Sequence, residues 1–238
     1  MTTKKKIFVA IAAVASAVVL VVVSVLATVA YLTSSAAVSN VFTIGDSRII
    51  MDESKVTPDG KVAGEERVDT NSYHLVPNST YTKDPIITMK AGSESSYLFI
   101  IVRNDIEAIE DPAKLTIKSQ LEKNGWGQAT VATAATGIVY VYKGVDAEGN
   151  LNTNGKGVEA KDGDVQIPLF ESFSIKPDAD CKAYGAAKIT ITAVAIQTNG
   201  FGEEEGSLEA LLAAWQAVIQ TYPYIHTGNT EQGGGAQA

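Results

Sequence analysis

Two histidines are the side chains best suited to bind a catalytic metal, and their spacing argues against such a site. His74 lies in a stretch with strand-like patterning, whereas His226 follows the last predicted helix. A zinc peptidase usually carries His-Glu-x-x-His, which places two imidazoles on one helix face with a carboxylate between them. The chain has neither this motif nor a Gly-x-Ser-x-Gly nucleophile elbow. We therefore expect a protein that is not an enzyme and needs no cofactor.

A single cysteine and one acidic loop are the remaining chemical candidates. Acidic neighbours should raise the pKa of the Cys181 thiol and leave it inert, although it could link two chains in an oxidising setting. The loop has the alternating oxygen-bearing side chains of a calcium site at Asp146, Glu148, Asn150 and Asn152. It lacks the rest of that pattern, including a glutamate at the twelfth position. A solvated hairpin tip is favoured over calcium binding.

Composition excludes several classes of protein. The chain has 238 residues, a net charge of −8, 19% charged residues and 45% residues of the apolar and aromatic class. A disordered chain would be richer in charge and poorer in apolar residues. A nucleic-acid-binding protein would need a basic face, which an acidic chain is poorly placed to supply. The sequence therefore predicts a folded protein that does not bind nucleic acid.

The N-terminal segment carries an export signal. Lys4, Lys5 and Lys6 precede an uncharged, almost wholly apolar run from Ile7 to Leu32. As a helix this run would be about 39 Å long, enough to cross a bilayer core. The lysines should stay on the cytoplasmic side, so that the rest of the chain lies outside. We expect a secreted protein, in the extracellular matrix or at the cell surface, that meets the membrane only through residues 1–32.

Residues 1–30 form either a cleaved signal peptide or a retained membrane anchor. The run is longer than the roughly 7–15 apolar residues of a typical signal peptide, which favours an anchor. Small residues at Ala27-Thr28-Val29-Ala30 suit cleavage between Ala30 and Tyr31, and cleavage is the favoured interpretation. Without its three leader lysines the chain has 16 basic and 27 acidic residues, a net of −11. Self-association of so acidic a chain should strengthen as salt screens the repulsion.

The apolar runs of the exported part predict a series of short strands. Two runs, Tyr97–Val102 and Lys188–Gln197, have the apolar character of central strands. Further strand regions are predicted at Val41–Ile50, Tyr73–Val76, Ile86–Met89, Gly137–Lys143 and Val165–Ile175, where Pro168 suggests an edge or a bulge. Val145–Asp164 is rich in turn residues and is predicted to be a long hairpin tip.

Helices are predicted at two places. Ile117–Lys123 ends at Asn124-Gly125, and a longer helix begins after Ser207 and ends before Pro223. Trp215 lies in the apolar stripe of the longer helix, which should pack on the sheets; docking on a neighbouring subunit is the alternative. Many short strands without βαβ alternation indicate a mainly β, antiparallel sandwich with short helices and a C-terminal helix.

The chain resembles the TasA/camelysin family of exported bacterial proteins, which carry a signal peptide cut by a SipW-type signal peptidase. The resemblance lies in an ordered set of short motifs spread over residues 1–201. They are Lys4–Leu32, Val41-Phe42-Thr43-Ile44-Gly45, Leu75-Val76-Pro77, Tyr81-Thr82-Lys83-Asp84-Pro85, Tyr97–Val102 and Ile189–Phe201. Asn78 follows Pro77 where such sequences often have glycine, a mild exchange because asparagine tolerates turn conformations.

The resemblance implies a jelly-roll-like β-sandwich whose subunits join into fibres. In such proteins the N-terminal segment inserts as a strand into the next subunit. Carried onto this sequence, the donor segment is Tyr31, Leu32, Thr33, Ser34, Ser35, Ala36, Ala37, Val38, Ser39 and Asn40. We expect a leader at 31–40, a sandwich domain at 41–226 and, from its small polar residues, a disordered tail at 227–238. An ordinary flexible leader is the alternative for the donor segment.

The sequence therefore predicts an exported structural protein that self-assembles into homopolymeric fibres at the cell surface or in a biofilm matrix. A membrane-tethered binding or adhesion module is the first alternative, and it requires residues 1–30 to remain on the protein. A camelysin-like metallopeptidase is a third and weaker hypothesis, because no metal-ligand motif supports it.

Overall fold

The structure is a computed structural model that describes residues 38–44, 47–130, 132, 134, 137–223 and 225. Within these residues the strands are β1 (Val38–Ile44), β2 (Ile49–Val56), β3 (Val62–Val68), β4 (Thr80–Thr82), β5 (Ile86–Met89), β6 (Ser93–Asn104), β7 (Trp126–Gln128), β8 (Ile138–Tyr142), β9 (Val158–Ala160), β10 (Val165–Pro168), β11 (Ser172–Ser174) and β12 (Ile189–Gln197). The helices are α1 (Ile117–Lys123) and α2 (Leu208–Thr221), with 3₁₀ turns at Glu107–Ile109 and Cys181–Tyr184. The protein is thus mainly β, as predicted.

The described strands form a large sheet, a smaller sheet and a two-stranded ribbon. The large sheet has the order β1-β12-β6-β8-β7, with β9 paired to the first half of β6. The smaller sheet has the order β10-β5-β2-β3, and β11 pairs with β4 in the ribbon. Every pair is antiparallel except β1 with β12, which run parallel. The prediction of antiparallel sheets is therefore confirmed, with one parallel edge.

The large sheet is covered on both faces. Alternate residues of β6 point to opposite sides: Leu98 and Ile100 lie in one apolar cluster, and Phe99 and Ile101 lie in the other. The first cluster includes Met51 and other residues of the smaller sheet, so two sheets pack face to face. The second includes residues of α2. The predictions of two central strands at 97–102 and 188–197 are confirmed by β6 and β12.

Local signals fix both helices. Thr116 caps α1 by accepting a hydrogen bond from the Ser119 N–H at 3.2 Å, and the helix ends at Lys123 as predicted. Ser207 caps α2 by accepting one from the Ala210 N–H at 3.2 Å. These caps satisfy backbone donors that the helix itself leaves without a partner. The rings of Trp215 and Phe99 lie 5.2 Å apart, so α2 packs on the sheet of its own chain.

Four element predictions need correction. The strand predicted at 41–50 is two strands, β1 and β2, which belong to different sheets. Residues 73–76 form no strand, because the His74 N–H bonds to the Pro58 carbonyl and not to a ladder. The predicted tip at 145–164 contains β9, which pairs with β6. The strand predicted at 165–175 breaks after Pro168, which has no N–H, and resumes in the ribbon as β11.

Candidate functional site

The N-terminal strand β1 lies at the edge of the large sheet. Its register pairs Val38 with Thr190 and Ile44 with Ile196, in parallel along almost the full length of β12. Among the described strands, β12 is the only partner of β1. One edge of β1 thus pairs with the sheet, and its other edge offers main-chain donors and acceptors on which a further strand could pair.

Two side chains of β1 are described, at Val41 and Ile44. Val41 is half-buried against the cluster between the two sheets, and Ile44 is half-buried against the cluster under α2. By contrast, four consecutive residues near the end of β12, Ala193–Ile196, are fully buried. The backbone ladder pairs all seven residues of β1 with β12, and backbone pairing of this kind can be reproduced by the same strand of another chain.

The predicted assembly segment reaches into this strand. Val38, Ser39 and Asn40 are the first residues of β1 and pair with Thr190, Ile191 and Thr192. The other members of that segment, Tyr31–Ala37, lie outside the described residues, as do the predicted cleavage point at Ala30 and Tyr31, the apolar run at 7–32 and the tail at 227–238. No helix within the described ranges combines the length and apolar composition needed to cross a bilayer.

The histidines and the acidic loop do not form a ligand cluster in the part of the chain that the structure describes. No group of three or more His, Cys, Asp or Glu side chains there could hold a metal ion. His226 lies outside it. The Asp146 carboxylate accepts hydrogen bonds from the N–H groups of Asn150 at 2.7 Å and Glu148 at 3.0 Å, which lower the pKa of Asp146, with the Asn150 bond as the larger cause. These bonds close a surface turn, as the hairpin-tip interpretation predicts.

Cys181 opens the second 3₁₀ turn and is half-buried. Its pKa is raised first by burial and second by Asp180. The direction matches the sequence prediction, but the larger cause is burial and not the acidic neighbour. A thiol with a raised pKa holds little of the reactive thiolate form at neutral pH.

An open cleft of about 370 Å³ lies beside α1, lined in part by Glu110, Tyr140 and Lys118. Glu110 is buried, and its carboxylate accepts hydrogen bonds from the Asn104 side chain and from the Ile117 N–H at 2.9 Å. Burial raises the pKa of Glu110, and burial together with Glu122 raises that of Tyr140 to about 12. Because Glu110 is bonded to the first turn of α1, its role in this cleft is to position the helix.

A buried polar cluster is the feature that sequence reasoning missed. The Lys83 Nζ lies 2.5 Å from Oε2 of Glu53, and the Asn71 Nδ2 donates to Oε1 of the same carboxylate at 3.0 Å. The side chains of Glu53 and Lys83 are each 1% exposed, and Asn71 is 6% exposed. The sequence signal that could have indicated this cluster is the spacing of Ile49, Met51 and Glu53 at every second position of β2, which puts all three on the inward face.

An aromatic group reaches this cluster through Tyr73. Tyr73, Tyr81 and Phe173 are buried and pack with ring centroids 5.0–5.9 Å apart. Tyr73 is close enough to Glu53 for that carboxylate to help raise the Tyr73 pKa, although burial is the larger cause. The cluster is thus a charged pair and an amide held in the protein interior, where an ammonium or carboxylate is costly to maintain.

Scans against protein-family models, curated proteins and solved structures each found no match to the chain.

Proposed function

We propose that this protein is an exported structural protein whose subunits, jelly-roll-like β-sandwiches, assemble into surface or matrix fibres through the N-terminal strand. The observation that carries the proposal is the position of β1, which is an edge strand with β12 as its one partner among the described strands. The segment expected to follow signal cleavage leads directly into this strand. A strand at that position can leave its own sheet and pair with the sheet of another copy.

The energetics favour an exchange of this kind. Val41 and Ile44 are half-buried, so their burial contributes about 1–2 kcal/mol each, judged from the roughly 1.5–3 kcal/mol of a fully buried side chain. The same strand from a second copy would restore the hydrogen bonds and both contacts. Exchange of an identical element between copies is a low-cost route to association, and a head-to-tail arrangement that does not close gives filaments.

Export and cleavage supply the switch. A chain held in the membrane by residues 1–32 has its N-terminal strand tied to the bilayer. Cleavage by a SipW-type signal peptidase between Ala30 and Tyr31 would release that end for pairing. The net charge of −11 expected after cleavage would keep free subunits apart at low salt, because like charges repel. Polymerisation should therefore be faster at higher ionic strength.

A membrane-tethered surface module is a second candidate, favoured by the length of the apolar run at 7–32. In that case the N-terminal end would stay in the bilayer and the edge of β1 would be available only to partners at the surface. An intact mass of the exported form separates the two candidates, because a retained anchor adds the mass of residues 1–30.

Negative-stain electron microscopy tests the proposal. Residues 31–238 should form filaments, and a chain that lacks Tyr31–Asn40 should remain monomeric with its circular dichroism spectrum unchanged. A chain that lacks the ten C-terminal residues 229–238 is the matched control and should still form filaments. Filaments in all three proteins would place the contact elsewhere, and monomers in all three, at low and high salt, would refute autonomous assembly.

A further inference from the structure

The buried cluster has the components of an amide-forming reaction. We propose that Lys83 and Asn71 become joined by an intramolecular isopeptide bond inside the folded chain, with Glu53 as the group that transfers protons. The three residues come from β2, from the segment after β3 and from the segment after β4, so that the fold alone brings them together. The reaction does not depend on fibre assembly, and its test below is independent of that proposal.

Lys83 is placed as the nucleophile. A lysine attacks a carbonyl carbon only as the neutral amine, and desolvation is a standard way to obtain that form near neutral pH. Burial lowers the pKa of Lys83, against the opposing effects of the Glu53 and Asp84 charges. The 2.5 Å contact between Nζ and Oε2 gives the ammonium proton a direct acceptor. Proton transfer across this contact leaves a neutral amine beside a neutral carboxylic acid.

Asn71 is placed as the electrophile, and the backbone fixes the orientation of its amide. The Val56 N–H donates to Oδ1 at 2.9 Å, whereas Nδ2 donates to the Ser54 carbonyl at 2.8 Å. An N–H group and a carbonyl leave one consistent assignment of oxygen and nitrogen. The Val56 N–H therefore points at the oxygen on which negative charge would develop, within the 2.7–3.1 Å typical of an oxyanion-hole donor.

Glu53 faces both the attacking group and the leaving group. Its Oε2 contacts Lys83, and its Oε1 accepts from Asn71 Nδ2 at 3.0 Å. The leaving group of an amide is its nitrogen, which departs only when protonated. One carboxyl group can thus take a proton from the nucleophile and return a proton to the leaving nitrogen, as a general base and then a general acid.

The reaction balances without an oxidant, a reductant or a cofactor. The Lys83 ammonium first gives one proton to Glu53. The amine then adds to Cγ of Asn71 and forms the new C–N bond, and the oxygen of the tetrahedral intermediate is held by the Val56 N–H. The former amine nitrogen loses a second proton as the C–Nδ2 bond breaks. Glu53 gives its proton to Nδ2, which departs as neutral ammonia, and takes up that second proton, so that Glu53 ends as a neutral carboxylic acid.

Burial favours the product. An ion pair in an apolar site has lost its hydration, and its mutual attraction offsets that cost only when the geometry is very good. The new amide is neutral and Glu53 ends protonated, so that both buried charges of the ion pair disappear. Little water reaches side chains that are about 1% exposed, which protects the new bond from hydrolysis. The bond would close a covalent loop over residues 71–83.

Peptide mapping of the purified full chain tests the bond directly. An acylated lysine is not cleaved by trypsin, and the next basic residues are Arg67 and Lys90. The expected product is therefore one looped peptide, 68–90, lighter than its sequence by the mass of one ammonia molecule, with fragmentation placing the loop between Asn71 and Lys83. Separate peptides 68–83 and 84–90 at full mass, after long incubation of folded protein, would overturn the proposal.

Variants separate this reaction from ammonia loss within a single asparagine. Lys83→Arg should give peptide 68–83 at its full sequence mass; loss of ammonia from that peptide would mean a cyclised asparagine and would overturn the proposal. Glu53→Gln should leave the two peptides separate in a protein that folds by circular dichroism. A loop that still forms in that variant would overturn the role of Glu53.

An exposed ion pair on the same hairpin supplies the matched control. Lys55 and Glu66 lie 2.7 Å apart, but their side chains are 49% and 62% exposed. Glu66→Gln should leave the looped peptide unchanged, because this pair has neither the burial nor the amide partner. Loss of the loop in this control would show that any change on the hairpin prevents the bond and would overturn the specific role of Glu53.

Discussion

Replacement of Trp215 by alanine tests whether α2 belongs to the core of its own chain. Trp215 is fully buried and packs on Phe99. Truncation of a buried tryptophan removes transfer free energy and leaves a cavity, at a typical cost of about 3–5 kcal/mol. In a domain of this size each kcal/mol lowers the melting temperature by about 2–4 °C. The expected fall for Trp215→Ala is therefore about 6–20 °C.

Thermal unfolding followed by circular dichroism measures this difference. Leu212→Ala is the control on the same helix, since Leu212 is 40% exposed and its truncation should cost about 1 kcal/mol or less. Both variants retain the Ser207 cap, so a change in capping cannot explain a difference between them. A melting temperature for Trp215→Ala close to that of Leu212→Ala, accompanied by loss of filaments, would refute internal packing and assign the helix to a subunit contact.

Two further predictions concern Glu110 and Gly60. Burial raises the pKa of Glu110 above its ordinary 4.5, so the folded state binds that proton more tightly than the unfolded state does. The free energy of unfolding of the wild type should therefore fall relative to that of Glu110→Gln as the pH rises through the raised pKa. This relative loss should disappear below about pH 4.5. Urea titrations from pH 4 to pH 8 measure the difference in unfolding free energy between the two proteins, and a constant difference would contradict the prediction. Gly60 has φ +78°, and a Cβ there would lie 2.7 Å from the Tyr81 Cα, whereas Gly149 also has a positive φ but has open space around it. Gly60→Ala should therefore destabilise the protein by more than Gly149→Ala does. Equal unfolding midpoints in guanidinium for the two variants would refute the steric part of the argument.

The sequence alone was sufficient for elements whose signals are local. The continuous apolar run at 97–102 predicts a strand covered on both faces, and β6 is such a strand. Ser207 before the longer helix and the breaker after Lys123 each locate one helix end closely, because such signals act within a few residues, whereas the Thr116 cap was found only in the structure. Pro168, which cannot donate to a ladder, predicts an edge or a bulge, and β10 lies at the edge of the smaller sheet.

Strand partners could not be predicted in the same way. The parallel pairing of Val38–Ile44 with β12 joins residues about 150 positions apart, and no local pattern distinguishes that edge from another. The same holds for β9, whose three residues lie in a turn-rich stretch and become a strand only because β6 offers them a free ladder position. Short strands take their stability from neighbours more than from intrinsic propensity.

The candidate sites also divide into features that contiguous residues indicate and features that only the tertiary structure brings together. The sequence shows the apolar run at 7–32 and the lack of a metal-peptidase motif, because each of these is a property of contiguous residues, whereas the assembly segment at 31–40 came from the family resemblance and stays a prediction. Only the tertiary structure brought Glu53, Asn71 and Lys83 together, from positions that read separately as parts of polar stretches. A charged residue in a strand shows its burial only when the facing layer is known, since the hydrophobic pattern sets which face a residue occupies but not what covers it.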